Sequence, residues 1–259
     1  MNKEDITVLG KTGIRVVRED RYKFPTGANG TKARSIFKMI DGAKGTTTAG
    51  YRSSTQGAMT AAIARLLGIP FIYFCPRGPL TPELKCILAN GKQVDQTQKH
   101  GHFRGQCDTA ALAVAQSHEG WVYIPSWMDT VDHLLFVEQR FWEVHKQLTT
   151  TPKTRYVVPV GSGMTFIAIL RCLREIPKDQ RPQAVGIQVG QDPRKLFARY
   201  LPAWQFYGGL LEYPTPYDKP ADFDDYYDIP VDPYYSAKCI EYLRHGDVFW
   251  NSGARKGLI

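Results

Sequence analysis

The chain has 259 residues, of which 43% are hydrophobic, 12% aromatic and 22% charged. This composition is typical of a folded globular protein and excludes collagen-like, disulfide-rich and disordered chains. The best apolar run, residues 66–75, is interrupted by Gly68 and Pro70, so the sequence predicts no membrane span, and the polar start of the chain predicts a cytoplasmic protein.

The charge is positive and unevenly distributed. Net charge is +8 at pH 7, from 33 Lys and Arg against 25 Asp and Glu. Residues 1–45 hold ten basic and five acidic side chains, whereas residues 212–232 hold seven acidic side chains and one lysine. Two interpretations stay open: a basic N-terminal region that contacts nucleic acid, or a solvated surface beside a site for a phosphate-bearing small molecule.

Strand-like and helix-like segments alternate, which predicts an α/β fold with mainly parallel sheets and crossover helices. Apolar spacing predicts helices over 31–43, 55–67, 81–90, 108–118, 131–148, 165–173 and 232–244. Apolar and β-branched runs predict strands over 46–49, 69–75, 121–124, 156–160, 184–189 and 248–250. Residues 213–235 are rich in Pro, Asp and Tyr. This composition predicts a long ordered loop after the predicted strand 184–189.

A glycine turn separates a buried strand from a helix in the second half of the chain. It has the sequence Gly161-Ser162-Gly163-Met164-Thr165. Backbone N–H groups at such a turn, together with the positive end of the helix dipole, favour a phosphate group. The spacing departs from Gly-x-Gly-x-x-Gly and no Walker lysine follows, so dinucleotide and nucleoside-triphosphate sites are disfavoured.

One lysine lies at the start of the first predicted helix. Lys32 follows the turn-rich segment 25–31. Because a helix N-terminus disfavours a cation, an amine there shifts toward its neutral, nucleophilic form. The alternative is a solvated surface lysine among 33 basic residues.

Three other polar segments carry candidate groups. Residues 49–57 form a polar loop that leads into a helix and could hold a carboxylate, although plain N-capping explains its hydroxyls equally well. Residues 251–253 follow the last predicted strand, where the hydroxyl of Ser252 could face a ligand. His100 and His102 could supply two metal ligands, but no third ligand accompanies them. The five cysteines are widely spaced and contain no Cys-x-x-Cys pair, so no metal site is expected.

Taken in order, these segments resemble the fold type II family of pyridoxal-phosphate enzymes, which includes tryptophan synthase β, serine racemase and cysteine synthase. The greatest similarity is to the aminocyclopropane-carboxylate (ACC) deaminase and D-cysteine desulfhydrase branch, and the chain is shorter than is usual there. Residues 29–34 resemble its Gly-Asn-Lys-x-Arg segment, and residues 161–165 its Gly-Ser-Gly-Gly-Thr phosphate cup. Residues 232–238 and 251–254 resemble its Asp-Pro-Val-Tyr-x-Gly-Lys and His-Thr-Gly-Gly segments.

The resemblance implies a pyridoxal 5'-phosphate cofactor and a role for each matched residue. Lys32 would form the Schiff base and carry protons, and Tyr235 would be an acid or base near the ring. Ser252 would face the pyridine nitrogen and leave it unprotonated, which weakens the electron sink. The implied phosphate cup is Gly161, Ser162, Gly163, Met164 and Thr165, and the implied substrate-carboxylate loop is Ser53, Ser54, Thr55 and Gln56. Two of these depart from the family pattern, since Thr55 replaces an asparagine that contacts the cofactor and Met164 replaces a glycine.

The resemblance also implies a two-domain homodimer, with a large cofactor-binding domain over 1–44 and 150–259 and a small domain over 45–149. The expected activity is elimination or deamination, replacement, or decarboxylation at the Cα of an amino acid or amino-acid-like group. Two alternatives stay open. The substrate could be an amino acid attached to a modified base in DNA, as in bacteriophage hypermodification, or the protein could bind the cofactor without catalysis.

Overall fold

The computed structural model describes residues 5–96 and 103–258. Contacts divide the chain into two compact units. The first unit comprises Met1–Arg21 and Val131–Ala254, and the second comprises Tyr22–Thr130 and Arg255–Ile259. His100 and His102 lie outside the described residues.

The first unit contains a six-stranded sheet in the order β1-β2-β12-β7-β8-β9. Strands β1 and β2 pair antiparallel, whereas every other neighbouring pair in this sheet is parallel. The strands are β1 (Ile6–Leu9), β2 (Ile14–Arg18), β7 (Arg155–Val160), β8 (Gln183–Gln188), β9 (Gly209–Glu212) and β12 (Val248–Asn251). The helices of this unit are α5 (Val131–His145), α6 (Met164–Arg174) and α7 (Arg194–Tyr200). A two-stranded hairpin, β10 (Asp225–Tyr226) and β11 (Ile229–Pro230), lies in the segment before β12.

The second unit contains a four-stranded, wholly parallel sheet in the order β5-β4-β3-β6. Its strands are β3 (Gly45–Ala49), β4 (Phe71–Phe74), β5 (Gln93–Asp95) and β6 (Trp121–Ile124). Its helices are α1 (Gly30–Ile40), α2 (Thr55–Leu66), α3 (Pro82–Ala89) and α4 (Phe103–Ser117). The central strand β3 is buried throughout, and its threonine hydroxyls donate to the carbonyls of Val122, Ala111 and Ile124 over 2.6–2.8 Å.

The boundaries between the units differ from the sequence expectation of 44/45 and 149/150. Helix α1 shares a core with α2, in which Ile36 and Ile40 pack among Ala58, Ala62 and Ile63. It therefore belongs to the same compact unit as residues 45–130. Helix α5 packs against α6 in the core of the first unit, which moves the second boundary to 130/131.

The expected α/β architecture with mainly parallel sheets is confirmed. The expected final helix over 232–244 is wrong, because residues 236–242 form a 3-10 helix. The Asp232 carboxylate accepts the N–H of Tyr234, and the Ser236 hydroxyl accepts the N–H of Asp232. Such local side-chain bonds compete with α-helical backbone bonds. No helix in the two described ranges is both long and apolar enough to cross a membrane.

Candidate active site

The turn between β7 and α6 has the properties of an anion site. Gly163 precedes α6 with φ +93°, and no side chain caps the helix there. A Cβ atom on Gly163 would lie 2.5 Å from Cε1 of Phe197 and 2.9 Å from Cβ of Pro193, so the packing requires glycine as well. The uncapped first turn directs backbone N–H groups and the positive end of the helix dipole toward the turn.

Met164 occupies the position where the family pattern has a glycine. Its side chain is buried in the core that α6 shares with β7 and β12. The substitution therefore leaves the backbone of the turn as the surface available to an anion.

Tyr235 supports the glycine turn directly. Its hydroxyl accepts the N–H of Gly161 at 3.1 Å and donates to the carbonyl oxygen of Pro159 at 3.0 Å. A Cβ atom on Gly161 would lie 2.8 Å from the Tyr235 ring, so glycine permits this close approach. Burial raises the pKa of Tyr235 above its usual value, and the Gly161 N–H bond only partly opposes that shift. The phenol is therefore neutral at physiological pH, and it donates its proton in a hydrogen bond to the carbonyl oxygen of Pro159.

The end of β12 is held in place by a buried polar network. The Asn251 side-chain nitrogen donates to Asp20 Oδ1 at 3.0 Å and to the carbonyl oxygen of Pro230 at 2.9 Å. Arg18 binds the same carboxylate through two nitrogens, at 2.9 and 2.7 Å. The next residue, Ser252, places its hydroxyl oxygen in a buried position where no described residue hydrogen-bonds to it.

Gln188, at the end of β8, is a polar residue that sequence reasoning missed. Its Oε1 atom is buried and has no hydrogen-bond partner among the described residues. Strands β12, β7 and β8 are parallel neighbours, so Ser252, the glycine turn and Gln188 lie at the same edge of the sheet. Buried polar atoms normally find partners, and two orphaned oxygens beside an uncapped helix indicate a ligand-binding edge. The only signal in the sequence is a glutamine within the apolar run 184–189.

In the second unit, Lys32 lies in the first turn of α1 and is partly buried. The helix begins at Gly30 with φ +88°, and the preceding Asn29 donates its side-chain N–H to the carbonyl oxygen of Gly27 at 3.1 Å. No side chain caps this helix. Lys32 is thus held on a fixed backbone at the positive end of a helix, which disfavours a second positive charge.

The loop before α2 is also well ordered by hydrogen bonds. Ser53 is exposed, and Ser54 is the N-cap residue of α2 without capping it through its side chain. Gln56 is buried, and its side-chain nitrogen donates to Thr48 Oγ1 at 3.0 Å and to the carbonyl oxygen of Pro125 at 2.9 Å. Gln56 therefore fixes α2 to the sheet, whereas Ser53, Ser54 and Thr55 retain exposed surface.

Metal ligands are not clustered in the described ranges, where no group of three or more His, Cys, Asp and Glu could hold an ion. The five cysteines are free thiols. Burial raises the pKa of Cys75 and that of Cys107 to about 11, which keeps both thiols protonated at neutral pH.

The first unit has an uncapped glycine turn at the carboxyl edge of a mainly parallel sheet, an arrangement that suits a phosphate-bearing ligand. The comparison with known families gives the particular class. Residues 12–200 match the family described as pyridoxal-phosphate dependent enzyme. The chain belongs to this family, and the expected cofactor and enzyme class are confirmed.

Solved structures of known enzymes share the fold. A homologue of ACC deaminase is 19% identical with a TM-score of 0.74, over 95% of this chain and 86% of that one. A processed threonine deaminase isoform from Solanum lycopersicum is 16% identical with a TM-score of 0.65, over 96% and 83%. The O-acetylserine dependent cystathionine β-synthase of Helicobacter pylori is 15% identical with a TM-score of 0.63, over 100% and 92%. At these identities, the similarity to the solved structures shows the fold alone. The comparison with curated proteins found no match to the sequence.

The residues present fit pyridoxal phosphate. The uncapped turn at 161–165 offers N–H groups to a phosphate, and the orphaned Ser252 hydroxyl suits a ring nitrogen, to which it can donate. Both features follow neighbouring parallel strands, β7 and β12, at the carboxyl edge of one sheet, where α/β proteins bind ligands.

Proposed function

We propose that this enzyme acts on the Cα of an amino acid or amino-acid-like group, with Lys32 as the residue that carries the cofactor. The observation that supports this most strongly is the pairing of the uncapped 161–165 turn with the orphaned Ser252 hydroxyl. Ser162, Gly163, Met164 and Thr165 would hold the cofactor phosphate through their backbone, and Gly161, whose N–H already donates to Tyr235, would shape that turn. Ser252 would hold the ring nitrogen, and Thr55 would take the place of the family asparagine.

When bound, the cofactor draws electrons from a bond at the substrate Cα. Lys32 would move the proton at that carbon as the positioned acid–base group beside the cofactor. Ser252 would donate a hydrogen bond to the ring nitrogen, and that nitrogen would then carry no full positive charge. Ser53, Ser54 and Thr55 would bind the substrate carboxylate through hydroxyl and backbone N–H groups at the start of α2, and Gln56 would hold that helix in place.

We propose elimination or deamination, replacement, or decarboxylation as the reaction, all of which start at the substrate Cα. The test is a product assay on the cofactor-loaded enzyme with each free amino acid in turn. Ammonia and a keto acid would identify elimination, carbon dioxide would identify decarboxylation, and a new amino acid formed with an added thiol would identify replacement. Absence of every product with every free amino acid would contradict a free amino acid as substrate.

The cytoplasmic location and the homodimer remain predictions.

A second candidate substrate is an amino acid attached to a modified base in DNA. The distribution of charge between the two units favours it, because the whole net charge of +8 belongs to the second unit. The discriminating assay compares duplex DNA that carries the amino-acid-modified base with the same amino acid in free form. Turnover of the DNA-linked group alone supports this candidate, and turnover of the free amino acid alone rejects it.

Tyr235→Phe separates a proton-transfer role from a positioning role. The two hydrogen bonds of the Tyr235 hydroxyl to the turn favour positioning, since its proton and an acceptor site are already used. We expect the variant to bind the cofactor about tenfold more weakly, because each hydrogen bond removed is worth roughly 0.5–1.5 kcal/mol. The measurements are a cofactor titration and the pH profile of turnover.

At saturating cofactor, a positioning role leaves the turnover and the shape of the pH profile of this variant near wild type. A turnover that falls by about 10²–10⁴-fold, with unchanged cofactor affinity, would instead assign acid–base catalysis to Tyr235.

A further inference from the structure

The net positive charge of the chain comes entirely from one unit. The second unit, residues 22–130 and 255–259, holds 14 Lys and Arg against 6 Asp and Glu. The first unit, residues 1–21 and 131–254, holds 19 of each and is neutral. Four of the five excess basic charges of residues 1–45 thus lie after residue 21, in the second unit. A concentrated excess of this kind attracts polyanions over distances beyond direct contact.

Helix α3 exposes a lysine, and the same helix exposes no carboxylate that would neutralise it. Lys85 is exposed on this helix, whereas its single acidic residue, Glu83, is buried. Glu83 Oε1 accepts from Arg255 Nη1 at 2.6 Å, so its charge is already compensated. The charge exposed on α3 is therefore positive, and it lies on a helix that also exposes the apolar Leu88.

Other cations lie near both ends of α3. At its C-terminal end, Lys92 donates its backbone N–H to the carbonyl oxygen of Ile87 and its ammonium to that of Ile69 at 2.6 Å. Burial lowers the pKa of Lys92, and the nearby charge of Arg65 lowers it further. At its N-terminal end, Lys256 follows the paired Arg255. Lys23 lies close to the same segment, with Nζ 3.1 Å from the position of a Cβ atom on Gly257.

The exposed cations around α3, which we call the α3 basic face, are Lys23, Arg65, Lys85 and Lys256. Helix α3 has eight residues and is about 12 Å long at 1.5 Å per residue. Duplex DNA carries roughly one negative charge per 1.7 Å of its axis, so a surface of this length faces several phosphates. The second candidate substrate, an amino acid attached to a DNA base, selects duplex DNA among the polyanions that such a surface attracts.

We propose that the α3 basic face binds the phosphate backbone of duplex DNA, so that the enzyme engages its substrate as part of a DNA molecule. The proposal rests on the second candidate function and names the surface through which it would operate. Binding of this kind is electrostatic and independent of base sequence. It should therefore be strongly dependent on salt and independent of the chemistry at Lys32.

The test measures binding of the cofactor-loaded enzyme to a labelled, unmodified DNA duplex by fluorescence anisotropy over a series of salt concentrations. The variant combines Arg65→Gln, Lys85→Gln and Lys256→Gln on the α3 basic face. The matched control combines Lys146→Gln, Lys153→Gln and Lys178→Gln, three exposed lysines of the first unit, and lowers the net charge equally. Polyglutamate and single-stranded DNA of equal charge serve as competing probes.

We expect the α3 variant to bind the duplex at least tenfold more weakly at fixed salt. The slope of log affinity against log salt should fall by about 1 for each phosphate that the variant no longer binds. The matched control variant should bind as the wild-type enzyme does. Equal weakening by both triple variants, absence of duplex binding, or preference for polyglutamate or single strands would overturn the proposal. None of these outcomes bears on turnover of free amino acids, so failure of the surface and failure of the proposed function are distinguishable.

Discussion

Replacing Lys32 by alanine is expected to abolish covalent attachment of the cofactor and to lower turnover by at least about 100-fold. The magnitude follows from the usual contribution of a positioned acid–base group, which is about 10²–10⁴-fold. Because Lys32 is only partly buried, its removal should leave the fold intact. The measurements are the visible absorbance of the loaded protein and the rate with the substrate found in the product assay.

The matched control for this variant is Lys38→Ala, an exposed lysine on the same helix. It should keep the wild-type absorbance and rate. If the Lys32 variant retains both, another amine carries the cofactor and the role assigned to Lys32 is wrong.

Gly163→Ala is expected to weaken cofactor binding by at least about tenfold. A residue with a Cβ atom at φ +93° costs roughly 1–2 kcal/mol, and the added atom would meet Phe197 and Pro193 at 2.5 and 2.9 Å. Relief of this clash requires movement of the turn, which displaces the N–H groups that would bind the phosphate. The measurement is a titration of the apoprotein with pyridoxal phosphate, together with the temperature of unfolding.

The control for the turn is Gly209→Ala in β9 of the same unit. A Cβ atom there meets nothing within 4 Å and the backbone is not left-handed, so affinity and unfolding temperature should stay near wild type. Equal cofactor affinity in the Gly163 variant and the wild-type protein would contradict a phosphate site at this turn.

Local sequence patterns are sufficient for the elements on which these predictions depend. Apolar spacing and a polar start predict a helix over 55–67, and the structure has α2 at Thr55–Leu66, because both signals are local. The glycine turn is located by the same kind of signal, a β-branched run closed by two glycines. The family of the chain follows from such segments taken in order.

Long-range contacts account for what the sequence could not show. Strand β1 has only four residues, and the apolar run of β2 is interrupted by Arg15. Strand β2 is fixed by its parallel pairing with β12, more than 230 positions away. The same separation hides the Asn251 bond to Asp20. The engagement of the Tyr235 hydroxyl by Gly161 and Pro159 depends on contacts over about 75 residues.

The central claim, that Lys32 carries pyridoxal phosphate in this chain, is tested most directly by chemical mapping. The loaded wild-type protein is reduced with borohydride, digested with trypsin and analysed by mass spectrometry. The account predicts that the label lies in peptide Phe24–Arg34, which remains uncut at Lys32 because the modified lysine is no longer a trypsin site. A label on any other lysine, or no label at all, would contradict it.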